Sequence, residues 1–271
     1  MSDRLLEVVG EGLEVHDLSR PYLIGMPQSP SHPPYFRAMP RRHGDAMRED
    51  GGSSASDLVT FGTHVGTHID ALGHIAQDGL LHGGVDAHRE QVGGGFSEHG
   101  IHAFAPGLFR AVLLDVAAAR GVDVLDPEFE VGPVELEEAL ARTGASPAAG
   151  DVLLVRTGWG ALWDDGGAYT GVTTGVPGVG VEGARWLAGL RPRAVGGDSI
   201  TFERDEPGEG HRSLPVHRVL LVEHGINIVE NLDLEGVSRA GLHTFTLVLA
   251  PLSLVGATGS PLRALAVVPR R

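Results

Sequence analysis

The chain has 271 residues, 42% hydrophobic and 21% charged, which is ordinary for a folded globular protein and enough for one large domain or two small ones. Its net charge of −14 argues against nucleic acid and anionic membranes as partners. With no cysteine, disulfides, thiolate metal sites and cysteine nucleophiles are excluded, so any metal would take nitrogen and oxygen ligands. No signal-peptide-like apolar run opens the chain, and no apolar stretch of about 18 residues occurs, so a soluble cytoplasmic protein is expected.

In chain order, a short apolar-periodic stretch leads into EVHDLS, read as a strand. Residues 21–36 carry five prolines and cannot be regular helix. Residues 40–56 are polar and rich in Gly and Ser, a long loop that is either a lid or plain surface. Together, residues 21–56 read as an N-terminal Pro-rich arm on a single domain spanning 1–271. Residues 57–70 alternate as a strand, and 75–106 are too glycine-rich for a long helix. Buried strands are expected at 108–117 and 151–159, with further strands at 193–200, from 226, and at 243–252. Helices are expected at 133–144, 181–190 and 214–225, the first opened by Pro133 and closed by Gly144. Strand and helix alternate from 108 to 252, which indicates an α/β fold with a mixed sheet.

The densest chemistry lies in HVGTHIDALGH, residues 64–74. Three histidines and a carboxylate in eleven residues are a donor set suited to Zn²⁺ and related ions. His64, His68 and Asp70 on one ion would leave His74 as a general base towards water, the layout of a metal-dependent hydrolase. In an extended strand His64 and His68 share a face but sit about 13 Å apart, too far to share an ion. The stretch is therefore expected to curl, at Gly66, where the missing Cβ permits unusual backbone angles.

Downstream, Glu230 stands in an apolar strand, where a buried carboxylate needs a partner, and a metal would be one. His217 lies on a helix beside leucines and reads either as a core histidine or as a ligand. Asp198 and Ser199 close a strand, as pocket or as turn; Trp159 either walls a pocket or packs on the surface. His82, His88, His99 and His102 read as structural or exposed, and no G-x-S-x-G elbow is present.

HVGTHIDALGH resembles the H-x-G-T-H-x-D-x(3)-H signature of the cyclase-like metal-dependent hydrolases, a family that includes bacterial kynurenine formamidase, isatin hydrolase and trans-dienelactone hydrolase. The likeness extends through DLS at 17–19, GMP at 25–27, RTGW at 156–159, VHRVLL and GINIVENLDL. Where many members carry D-A-P-x-H, this chain has Leu72 and Gly73, and its extra polar loop before the signature resembles the longer, isatin-hydrolase-like members.

The resemblance implies a swivelling β/β/α domain, dimeric or tetrameric, using Zn²⁺ or Mn²⁺. It implies His64, His68, Asp70 and Glu230 as metal ligands, His217 as a candidate further ligand, and His74 as the catalytic histidine. The expected activity is hydrolysis of a small cyclic amide or lactone, or of an N-acyl (formyl) amide. A metal-dependent cyclase or dehydratase, and a metal- or ligand-binding module without turnover, are the alternatives.

Overall fold

The two apolar runs at 108–117 and 151–159 lie side by side at the centre of the molecule. The computed structural model describes residues 4–208 and 213–270. Its strands are β1 (Leu13–Asp17), β2 (Phe36–Arg41), β3 (Ser56–Thr60), β4 (His68–Asp70), β5 (Gln91–Val92), β6 (Gly95–Phe96), β7 (Gly107–Asp115) and β8 (Glu130–Val131), then β9 (Val152–Arg156), β10 (Gly178–Val179), β11 (Ala194–Gly197), β12 (Asn227–Glu230), β13 (Thr244–Leu249), β14 (Gly259–Pro261) and β15 (Leu265–Pro269). Nine of them form one sheet in the order β1-β15-β13-β7-β9-β11-β12-β4-β14. Neighbours from β7 to β12 run parallel, and those on either side are antiparallel. This is the mixed α/β sheet expected from the alternation of strands and helices.

Side-chain alternation divides the central strands between two cores. Val112, Leu114, Leu153, Val155, Val195 and Ile228 face one core, while Ala111, Leu113, Val152, Leu154, Ala194 and Val229 face the other. The first is roofed by helices Pro133–Thr143 and Val181–Gly189 and by residues 216–221. The second is enclosed by the sheet itself, since Ile69 of β4 and Leu247 and Ala266 of β13 and β15 meet there. The sheet is thus curled around one core and covered by helices over the other.

Helix Pro133–Thr143 has the ends its sequence predicts: Pro133 in the first turn, Glu135 accepting from the Gly132 amide at 3.0 Å, and Gly144 left-handed at φ 64°. The helix expected at 214–225 forms with a difference. Its first turn is α-helical to His217, and Arg218–Glu223 continue as a π-helical turn, a feature common near functional sites.

The single strand expected over residues 57–70 is instead two. β3 ends at Thr60, the chain turns, and β4 begins at His68. The turn is fixed by Gly66, left-handed at φ 61°, with the Tyr22 ring so close that a Cβ would lie 2.9 Å from it. Residues 42–55 form the long loop that joins β2 to β3, the two strands pairing as a hairpin. The hairpin leaves Phe36, Leu58 and Val59 exposed, with Met47 exposed at its tip.

Candidate metal centre

Parity builds the site. Ile69 points into the sheet-enclosed core, so its neighbours His68 and Asp70 point towards the helices. On the adjacent strand Val229 matches Ile69, and Glu230 stands opposite His68 with the same outlook. His217 descends onto this face from the short helix above it. The four side chains are almost wholly buried.

Their distances are those of a coordination shell. His68 Nε2 lies 3.4 Å from Asp70 Oδ1 and 3.4 Å from Glu230 Oε2. His217 Nε2 lies 3.5 Å from Asp70 Oδ2 and 3.2 Å from Glu230 Oε1. Donors held tetrahedrally about an ion with bonds of about 2.1 Å are spaced about 3.4 Å apart. Asp70 Oδ2 and Glu230 Oε1 are buried with no hydrogen-bond partner, a costly state for carboxylate oxygens that a cation between them removes. These residues therefore fit a divalent ion.

Each histidine of the quartet is oriented from behind. His68 Nδ1 donates to the Gly66 carbonyl at 2.8 Å, and His217 Nδ1 donates to Glu203 Oε1 at 2.5 Å, so both Nε2 atoms face the carboxylates. Glu203 is itself pinned by the amides of Val216 and His217. Sequence reasoning passed over Glu203, which stands in FERDE without any local motif to mark it.

His64 and His74 form a second group on the other side of Asp70. His64 Nδ1 is 2.7 Å from Asp70 Oδ1, and its Nε2 is 2.8 Å from Thr258 Oγ1. The backbone of Gly259 passes so near that a Cβ there would lie 2.7 Å from the His64 ring. His74 stacks on His64 with ring centroids 3.8 Å apart. His64, Asp70 and His74 also present donors close enough to hold an ion. The curl at Gly66 thus brings His64 and His68 to one carboxylate, which a straight strand could not do. His32, from the Pro-rich arm, approaches this pair, its ring 5.2 Å from His64 and 6.5 Å from His74. Only the tertiary fold reveals it.

The charges are uneven. Burial alone would raise the pKa of Asp70, but His74, His64 and His217 outweigh it and hold it well below the carboxylate range. Burial raises Glu230, with Asp70 adding to the rise against the pull of His217. Burial works against charge on His68 and His217, yet the carboxylates prevail: both rise, His217 well above its ordinary value. For His74 burial dominates, the other histidines add to it, and its pKa falls well below the usual histidine value despite Asp70.

The remaining candidates are packed. Trp159 is buried among Met26, Val65, Trp163 and Tyr169, and its indole N–H donates to the Tyr169 carbonyl at 2.7 Å. Asp198 is fully buried and accepts from the amides of Thr157 and Gly158 and from the Thr157 hydroxyl. Ser199 is buried, and its carbonyl accepts from the Asn231 amide at 3.1 Å. His82 and His102 bond main-chain groups, His99 bonds Glu90 and the His82 carbonyl, and His88 is exposed.

Residues 16–204, well over half of the chain, match the Cyclase family. The chain belongs to that family. Among relatives, the isatin hydrolase of Roseibium aggregatum is 25% identical over 225 residues, covering 82% of this chain and 78% of that one. A crystal structure described as a novel cyclase is 27% identical, with a TM-score of 0.85, covering 98% of this chain and 93% of that one. Isatin hydrolase A from Ralstonia solanacearum shares the fold at 23% identity, with a TM-score of 0.74, covering 98% of this chain and 96% of that one. The curled mixed sheet is the fold shared with these structures. Among the described residues, no helix is long and apolar enough to cross a membrane.

Proposed function

We propose that this cyclase-family protein is a metal-dependent hydrolase that opens a small cyclic amide. The observation that carries it is the buried His68, Asp70, Glu230 and His217 cluster with its two orphaned carboxylate oxygens, set beside His74. These four residues would hold the ion, with His64 joining them through Asp70. When bound, a divalent ion such as Zn²⁺ or Mn²⁺ supplies Lewis acidity, polarising a carbonyl and lowering the pKa of water.

The rest falls to the chain's own groups. His74, neutral and partly exposed, takes a proton from the attacking water and returns it to the ring nitrogen as the C–N bond breaks. The products are a carboxylate and an amine. The amide preference rests on the likeness to isatin hydrolase, since isatin is a fused lactam. Lactones and N-formyl amides present the same carbonyl and are the neighbouring substrates.

The deciding experiment is metal analysis of the purified protein joined to a hydrolysis screen over isatin-like lactams, N-formylkynurenine and unsaturated lactones. Ring-opened product from the lactams is expected. Ring closure or loss of water would establish a cyclase or dehydratase, and a metal-loaded protein inert across the panel would favour a binding module.

Proton release gives an independent check. His68 and His217, whose pKas the buried carboxylates raise, must be neutral to ligate. Ion uptake is therefore expected to release protons, and affinity should fall as pH drops. Calorimetry in buffers of different ionisation enthalpy reads this; zero release would mean that both rings are already neutral.

The protein is further proposed to assemble as a homodimer or homotetramer through the β2–β3 hairpin. A two-stranded ribbon is marginal alone, and this one exposes Phe36, Leu58 and Val59. The double variant Phe36→Glu, Leu58→Glu is expected to sediment as a smaller species than the parent. An unchanged sedimentation coefficient would place the interface elsewhere.

A further inference from the structure

We infer that Thr67 and Tyr169 are positioning residues that act through Asn231 to hold Glu230 against His68, an inference that rests on the metal-site reading above. The ladder joining β12 to β4 has two rungs, Val229 with Ile69 and Glu230 with His68. Backbone pairing stops at the pair that must converge on the ion. Beyond it a side chain takes over: the Thr67 hydroxyl donates to the Asn231 carbonyl at 2.7 Å. Thr67 precedes His68 and Asn231 follows Glu230, so one hydroxyl closes the bracket around both ligands.

Each end of that bond is anchored. Thr67 is fully buried; its Oγ1 accepts from the Arg20 amide at 2.8 Å, and its carbonyl accepts from the Tyr22 hydroxyl at 2.6 Å. Asn231 is left-handed at φ 57°, a conformation asparagine tolerates, which turns the chain directly after Glu230. Its amide donates to the Ser199 carbonyl at 3.1 Å, and its side-chain Oδ1 accepts from the Tyr169 hydroxyl at 2.9 Å.

Tyr169 is fully buried, and its hydroxyl also lies 3.0 Å from the Asp198 carbonyl. The single hydroxyl proton of Tyr169 is shared between two acceptors, Asn231 Oδ1 and the Asp198 carbonyl. Ser199 and Asp198, at the end of a central strand, thus become the fixed ground to which the ligand-bearing turn is tied. The clamp has a physical task. Asp70 and Glu230 are buried carboxylates that converge on one site, and a fixed Asn231 keeps Glu230 in register with His68.

The test uses full-length protein stripped of metal, titrated separately with Zn²⁺ and Mn²⁺ against a chromogenic chelator, with the thermal midpoint of the stripped protein read in parallel. Thr67→Val, which keeps the shape and deletes the hydroxyl, and Tyr169→Phe are each expected to weaken ion binding by about 10- to 100-fold. Thr67→Ser should bind as the parent does. If Thr67→Val does not fold, Tyr169→Phe decides. The inference is overturned if the parent binds the ion and the hydroxyl-deleted variants bind it equally tightly, or if affinity merely tracks the midpoint across all three variants. A parent that takes up neither ion overturns the metal-site reading and this inference with it.

Discussion

Asp70→Asn is expected to leave the purified protein without a bound ion and to weaken affinity for Zn²⁺ or Mn²⁺ by more than about 100-fold, beyond the usual effect of losing an outer partner. Asp70 is the one residue common to both donor groups, His68–Asp70–Glu230 and His64–Asp70–His74. Its two oxygens face different histidines, His64 and His68 at Oδ1 and His217 at Oδ2. Asparagine keeps the volume, and the Asn227 side chain still finds the main-chain carbonyl of residue 70, so the fold is retained. What disappears is the negative charge that offsets the surrounding histidines. Glu230→Gln should be milder, because Glu230 belongs to only one donor group. Elemental analysis after dialysis reads both variants, and stoichiometric ion in Asp70→Asn would refute the assignment of this centre.

The two ends of this site were unequally legible. The local half could be read because its logic is local. Four donors within eleven residues announce themselves, and the distance between alternate strand residues requires a bend, which falls at Gly66 where a backbone without Cβ allows it. Helix Pro133–Thr143 was equally plain, since proline and glycine mark its ends whatever surrounds it. Glu203 was not readable, because its task is set by a helix that begins at Pro215 and by His217 on it. His32 was hidden for the same reason: a proline-rich arm has no period from which to infer which face meets the site. The break between β3 and β4 was missed because Phe61 and the threonines around it continue the strand-like alternation through the turn. Asp198 and Trp159 drew attention by type and position, yet their hydrogen bonds tie down turns and carbonyls within the scaffold.

His74→Ala is expected to lower turnover by about 10²- to 10⁴-fold, the usual worth of a general base, while the bound ion stays near the parent level. The separation of the two effects is the informative part. The His68, Asp70, Glu230 and His217 quartet does not include His74, and His74 meets it through ring stacking on His64 and an edge approach to His217. A base must be unprotonated before it can accept, and burial among three other histidines has already removed the proton that a free imidazole would carry near its ordinary pKa. The sign follows: because the His74 pKa lies well below the usual value, protonation of His74 should not limit the rate until the pH is well below about 6.5. An acid limb found nearer neutrality would belong to proton competition at His68 and His217, whose pKas move the other way, and that limb should shift with added metal. Steady-state kinetics of His74→Ala, with ion content measured on the same samples, checks both statements. Undiminished turnover would take His74 out of the reaction, and ion loss in parallel with activity would make it a ligand instead.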